Sequence, residues 1–110
     1  MARRRTIDPA TFEALGHPIR LRMIEMMAGT DELACTTLEE ALPIVKSTIS
    51  YHIKILYRAG LIDVRRDGRW YHYRLRRQVL GDRVEALMQA LASPPRSQGR
   101  RASGGDSKAA

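Results

Sequence analysis

A single cysteine, Cys35, stands among the 110 residues, so no disulfide can close within the chain. That fits a reducing compartment, and a cytoplasmic location is the expectation. No apolar run is long enough to cross a bilayer, and the opening Met1-Ala2-Arg3-Arg4-Arg5 leads into no apolar signal block. There is no nucleophile–base set, no carboxylate pair placed for a cleft and no phosphate-cradling glycine loop. The sequence therefore does not read as an enzyme. It is also too short to hold a separate catalytic domain. A chain of 110 residues makes one compact domain, and so small a core is often helped by oligomerisation.

What the chain does have is charge, unevenly placed. The formal net charge is +7. Residues 6–45 carry only Arg20 and Arg22 against seven acids, whereas residues 46–77 carry nine bases against Asp63 and Asp67. One continuous stretch is thus strongly basic and the rest mildly acidic. Such a molecule attracts a polyanion to one face and repels it from the other.

Hydrophobic periodicity divides the chain into a basic arm at 1–7, a folded domain at 8–92 and a disordered tail at 93–110, where Pro94-Pro95 and Gly104-Gly105 sit among Arg and Ser. Asp8 caps and Pro9 starts a first helix through Phe12 and Leu15, ended near Gly16. His17-Pro18 opens a second. On it Ile19, Met23, Ile24 and Met27 recur at helical spacing, Leu21 and Ala28 widen the stripe, and Gly29 marks the end. Thr36 and Thr37 with Glu39 and Glu40 offer two overlapping capping-box registers for a very short third helix carrying Leu38, Ala41 and Leu42. After Pro43 a fourth helix runs from about Lys46-Ser47 to Ala59, stopped by Gly60, with Ile49, Ile53 and Leu56 as its apolar stripe.

From Leu61 to Leu75 the period switches to two. Asp67-Gly68 predicts a type I′ hairpin, setting Val64 opposite Tyr71 and Ile62 opposite Tyr73 on a buried side. Arg65 then faces Trp70, and Asp63 faces His72, on the other side. A last helix covers about Val79–Ala92, with Leu80, Val84, Leu87, Met88 and Leu91 on one face. The expected fold is mainly α: about five helices plus a two-stranded antiparallel wing, a winged helix-turn-helix.

In such a fold the fourth helix buries one stripe and offers the other to a duplex. At about 100° per residue, Ser47, Tyr51, Lys54 and Arg58 lie opposite the apolar stripe, flanked by Thr48 and Ser50. A major groove admits a helix, and residues near its N-terminus reach base edges. Ser47, Thr48, Ser50 and Tyr51 are therefore assigned to base edges or nearby phosphates, and Lys46, Lys54 and Arg58 mainly to phosphates. Arg65, Arg66 and Arg69 surround the wing tip, which can follow the backbone or enter a minor groove. Arg65 over Trp70 would instead make a local cation–π pair.

Leu15-Gly16-His17-Pro18-Ile19-Arg20-Leu21-Arg22 resembles the opening signature of the ArsR/SmtB family of bacterial regulators. Lys46–Leu56, Ala59-Gly60-Leu61-Ile62 and Arg66-Asp67-Gly68-Arg69 resemble its recognition helix and wing. The resemblance spans about residues 8–92. It implies a homodimer built from the first and last helices, binding an imperfect palindrome in double-stranded DNA and usually repressing transcription until an effector, here an unknown small molecule, arrives. By that likeness Phe12, Leu80, Val84, Leu87, Met88 and Leu91 are the interface.

The family's metal sites do not carry over. The region of the usual paired cysteines, Glu32–Leu38, has one thiol, and the last helix has Asp82 and Glu85 but no histidine. A transition-metal site needs about three or four ligands in defined geometry. His17 and His52 read as structural, Cys35 as a small buried residue, and no metal or cofactor is expected. Two other readings stay open: a metal or thiol sensor using Cys35 between subunits, and a winged helix that binds protein instead of DNA.

Overall fold

The computed structural model describes residues 7–95. Most of the basic arm and of the tail, both read from composition, lies outside the described residues. Helices α1 (Pro9–Leu15), α2 (Pro18–Ala28), α3 (Cys35–Ala41), α4 (Lys46–Arg58) and α5 (Arg77–Ala92) are joined by strands β1 (Leu33–Ala34), β2 (Ile62–Asp67) and β3 (Trp70–Leu75).

Local chemistry sets most boundaries. The Asp8 carboxylate accepts from the Ala10 amide at 3.3 Å, with Pro9 in the first turn of α1. His17 caps α2 through its ring, Nδ1 accepting from the Ile19 amide at 3.1 Å. Gly60, at φ +79°, turns the chain out of α4 in the left-handed region that β-carbons disfavour. The expected capping boxes of α3 do not form. Its N-cap is Ala34 without a side-chain bond, because the chain enters the helix directly from a strand.

The sheet has three strands, in the order β1-β3-β2, where a two-stranded wing was expected. The extra strand is two residues long, Leu33 beside Tyr73 and Ala34 beside His72, and is defined only by that partner. The hairpin also turns one step later than Asp67-Gly68 predicts. Asp67 pairs with Trp70, Val64 with Tyr73 and Ile62 with Leu75, leaving Gly68 (φ +65°) and Arg69 as the loop. Each β2 residue therefore meets a β3 residue two places beyond the expected one. A slip of two keeps every side chain on its face. Ile62, Tyr73 and Leu75 are indeed buried, but Val64 and Tyr71, nearer the tip, are exposed.

Met23 and Met27 of α2, Leu38 of α3, Leu56 of α4, Leu61 and Ile62 form the fully buried centre. The α4 stripe joins it as expected through Ile49, Ile53 and Leu56. Leu21 and Ala28 do not widen the α2 stripe; both are exposed, and Arg20 takes a buried place instead. Helix α5 starts at Arg77, two residues before the expected start.

Candidate nucleic-acid interface

Because Ile49, Ile53 and Leu56 fix α4 to the body, its opposite side is presented outward. Lys46, Ser47, Ser50, Tyr51, Lys54 and Arg58 are exposed and Thr48 is half-buried. Tyr51 keeps 58% of its surface exposed, which is large for an aromatic side chain. Lys46 lies 3.8 Å from Glu39, an exposed pair of little energetic weight. The helix thus carries hydroxyls on its first turns, with Lys46 before them and Lys54 and Arg58 farther along, the arrangement that a groove and its flanking phosphates require.

The wing stands beside α4, and the two enclose an open groove of about 550 Å³ lined by Ser50, Lys54, Tyr57, Val64, Arg66 and Tyr71, among others. Sequence reasoning left out Tyr57 and Tyr71, which form the apolar floor between two cations. Arg66 is preset: its Nε donates to the Gly68 carbonyl at 2.7 Å and its guanidinium lies 5.8 Å from the Tyr71 ring centre. Arg69 sits at the hairpin loop itself, exposed.

Arg65 is engaged elsewhere. Its Nε and Nη2 donate to the two carboxylate oxygens of Glu32 at 2.8 and 2.7 Å, so a forked ion pair, not the alternative of stacking on Trp70, holds it. Arg65 holds the Glu32 carboxyl below the usual carboxylate range, and Glu32 in turn raises Arg65. The pair ties the outer face of β2 to the segment entering β1. Of the two neighbouring wing arginines, Arg66 faces the α4 groove and Arg65 faces away from it.

Two buried or half-buried arginines escaped the sequence reading, which counted them only as charge. Arg20 is 8% exposed. Its Nε donates to the Ala14 carbonyl at 2.6 Å, its Nη2 to the Glu13 carbonyl at 3.4 Å, and its Nη1 lies 3.1 Å from Nδ1 of His52. Arg83 of α5 reaches the Ala59 carbonyl at 2.6 Å, the Thr11 hydroxyl at 3.1 Å and the Asp8 carboxylate at 3.1 Å. The first arginine locks α1 and α2 to α4; the second fastens α5 to α1 and to the end of α4.

The body-facing side of α5 carries Arg83 and the buried Ala86. Of the apolar residues predicted at an interface, one packs on the body and the others are half-buried or exposed. Leu80, Val84 and Leu87 are half-buried, and Leu80 packs on the core. Met88 and Leu91 are 58% and 76% exposed, and Phe12 of α1 is half-buried.

Among the described residues, no three or more His, Cys, Asp or Glu gather as a metal site. His17 and His52 are held in the bonds above. Cys35 is half-buried at the start of α3, where a fully buried position was expected. Burial pushes the neighbouring Tyr73 phenol up to about 12, with Cys35 and Glu39 acting in the same sense, so it stays protonated at neutral pH. No helix of the described residues is long and apolar enough to cross a membrane.

Comparison with known proteins agrees with this geometry. A helix-turn-helix domain family matches residues 15–65. The chain is 37% identical over 83 residues to the arsenic resistance transcriptional regulator ArsR1 of Pseudomonas putida, covering 76% of this chain and 64% of that protein. It is 31% identical over 94 residues to the biofilm growth-associated repressor of Agrobacterium fabrum, covering 86% and 80%. A crystal structure of a possible transcriptional regulator for arsenical resistance superposes with a TM-score of 0.67 at 30% identity, covering 79% of this chain and 88% of that one.

Proposed function

The chain belongs to the ArsR family of helix-turn-helix transcriptional regulators, and on that premise we propose that it is a homodimeric repressor that binds an imperfect palindrome in double-stranded DNA without a metal cofactor. The observation that carries the reading is α4. Its apolar side is buried, while Ser47, Ser50, Tyr51, Lys54 and Arg58 stand free on the other side, beside a basic wing. Ser47, Thr48, Ser50 and Tyr51 read base edges or adjacent phosphates. Lys46, Lys54, Arg58, Arg66 and Arg69 meet the backbone. Arg65 contributes only if its bond to Glu32 opens.

Two copies pair through Phe12 and the α5 face of Leu80, Val84, Leu87, Met88 and Leu91. Exposed residues as apolar as Met88 and Leu91 on one helix favour a covering partner, and a second copy supplies the two-fold symmetry that a palindrome demands. Among the described residues no three potential ligands gather, and the thiol is single while His17 and His52 are committed to internal hydrogen bonds, which argues against a transition-metal site within one subunit. The effector, if it is a small molecule, binds elsewhere.

In vitro selection from random duplexes, with sedimentation of the selected complex, tests the reading. Enrichment of a two-fold motif bound by two chains is the expected result. A monomeric complex on an asymmetric site would contradict it, as would stoichiometric zinc that copurifies and changes affinity. Loss of that metal response in Cys35→Ser would then select the intersubunit sensor.

A further inference from the structure

His52 lies on the recognition helix immediately after Tyr51, yet it points inward and is only 4% exposed. Its neighbours are cationic or cation-forming. Nη1 of Arg20 is 3.1 Å from its Nδ1, and the His17 ring lies 4.5 Å away, centre to centre. A guanidinium can only donate, so Nδ1 of His52 must be the unprotonated acceptor. His17 is held in the same state, because its own Nδ1 accepts the Ile19 amide as the cap of α2. Arg20 also donates through Nε and Nη2 to the last carbonyls of α1, Ala14 and Glu13. One guanidinium therefore joins α1, α2 and α4, and its link to α4 exists only with a neutral imidazole.

We propose that Arg20 and His52 are a positioning pair that holds α4 in its duplex-reading pose only while His52 is neutral, so that acidification weakens sequence-specific DNA binding. The inference rests on the reading of α4 as the helix that enters the groove. A proton on Nδ1 would set two donors and two positive charges against each other in a buried site. Among the described residues, no carboxylate pairs with Arg20 or His52. Glu13 of α1 and Arg58 of α4 line the adjoining groove with Arg20 and Tyr51, and Tyr51 stands edge-on to His52 at 5.3 Å. On the other elements packed against α4, Glu39 of α3 pairs with Lys46, Asp63 of β2 pairs with Arg76, and Glu40 is exposed. Burial, then His17 and Arg20, lower the His52 pKa from its ordinary value. A histidine lowered on folding contributes stability above the ordinary imidazole range and loses it as pH falls through that range. The released α4 would keep its fold but lose its register against the wing.

The direction is diagnostic. Acid adds positive charge, so simple electrostatic attraction to DNA strengthens as pH falls. The pair predicts the opposite for a duplex enriched by selection against the full chain at about pH 8: affinity declines by up to about tenfold per pH unit below the folded His52 value. A random duplex should still bind more tightly in acid. His52→Asn sets an amide oxygen near the place of Nδ1 and cannot titrate, so it should abolish the acid loss.

Imidazole nitrogen NMR spectra of the free wild-type chain read the same pair without DNA and without any variant. His52 should be neutral and bare at Nδ1, and should titrate below the ordinary imidazole range. Protonation of Nδ1 near neutral pH would overturn the proposal, as would a selected duplex held as well at a pH where the spectra show His52 protonated as at about pH 7.5. If no duplex is enriched, the DNA reading of α4 fails on its own, while the spectra still decide whether the neutral pair exists.

Discussion

Removing the guanidinium of Arg83 tests how α5 is fastened to the winged body. In Arg83→Met the stem remains and the charge goes. The Ala59 carbonyl at the C-cap of α4 loses a 2.6 Å charge-assisted bond, which is worth about 1.5–3 kcal/mol. The Asp8 contact at 3.1 Å involves side chains roughly one-third exposed, 31% and 35%, so solvent screening holds it to less than about 1 kcal/mol. The Thr11 hydroxyl is fully buried, but it also donates to Asp8 at 3.0 Å and keeps that partner. Together these give a loss of about 1.5–4 kcal/mol. Arg83→Lys restores a single cationic nitrogen, like the Nη1 that makes all three contacts, but on a different stem, and should recover about half of it. Urea unfolding at one fixed chain concentration reads both values, since an oligomer's stability depends on concentration. An Arg83→Met chain within about 0.5 kcal/mol of wild type, the range of an ordinary surface change, would refute the argument that Arg83 holds α5.

Lys54→Ala and Arg66→Ala should each weaken binding to all duplexes alike and flatten the dependence of log affinity on log salt by about one unit, as read by anisotropy titrations. Met88→Asp with Leu91→Asp should leave the winged body folded and shift sedimentation toward the monomer, because both side chains are exposed within one chain and lie on the face proposed to meet a second. Gly60→Ala should cost about 1–2 kcal/mol in denaturant unfolding: the φ of +79° is strained for a side chain, whereas the nearest atom to the new Cβ, on Arg83, stays at an ordinary 3.5 Å. Glu32→Gln should leave denaturant unfolding almost unchanged, since its bond to Arg65 is exposed, and should steepen the salt dependence of duplex binding by freeing that arginine. The lowered Glu32 pKa gives the pairing its sign: whatever it contributes is present at neutral pH and lost on acidification below the ordinary carboxylate range.

Features encoded by adjacent residues were legible before any coordinates. Asp8-Pro9 and His17-Pro18 start helices as they predict, Gly60 ends one, and the spacing of Ile49, Ile53 and Leu56 orients α4 correctly. Features created by distant partners were not. Arg20 and Arg83 look like surface charge until helices 32 and 24 residues away supply acceptors. Strand β1 is two residues of unremarkable sequence that become a strand only beside Tyr73 and His72. The wing faces were readable because alternation fixes parity, whereas the turn position was not, since neighbouring registers two residues apart satisfy the same alternation. Of the candidate interface, exposure of the α4 residues followed from one helix's periodicity. The occupation of Arg65 by Glu32 needed a contact across 33 positions.

The most direct measurement of the central claim repeats the duplex selection with Ser47→Ala and Tyr51→Ala in parallel with the unaltered chain. Both side chains are exposed on α4, so the variants should fold and bind with a nearly unchanged salt slope, but the enriched motif should change at the base pairs beneath the helix start. An identical motif from all three proteins would contradict the assignment of α4 as the helix that reads DNA.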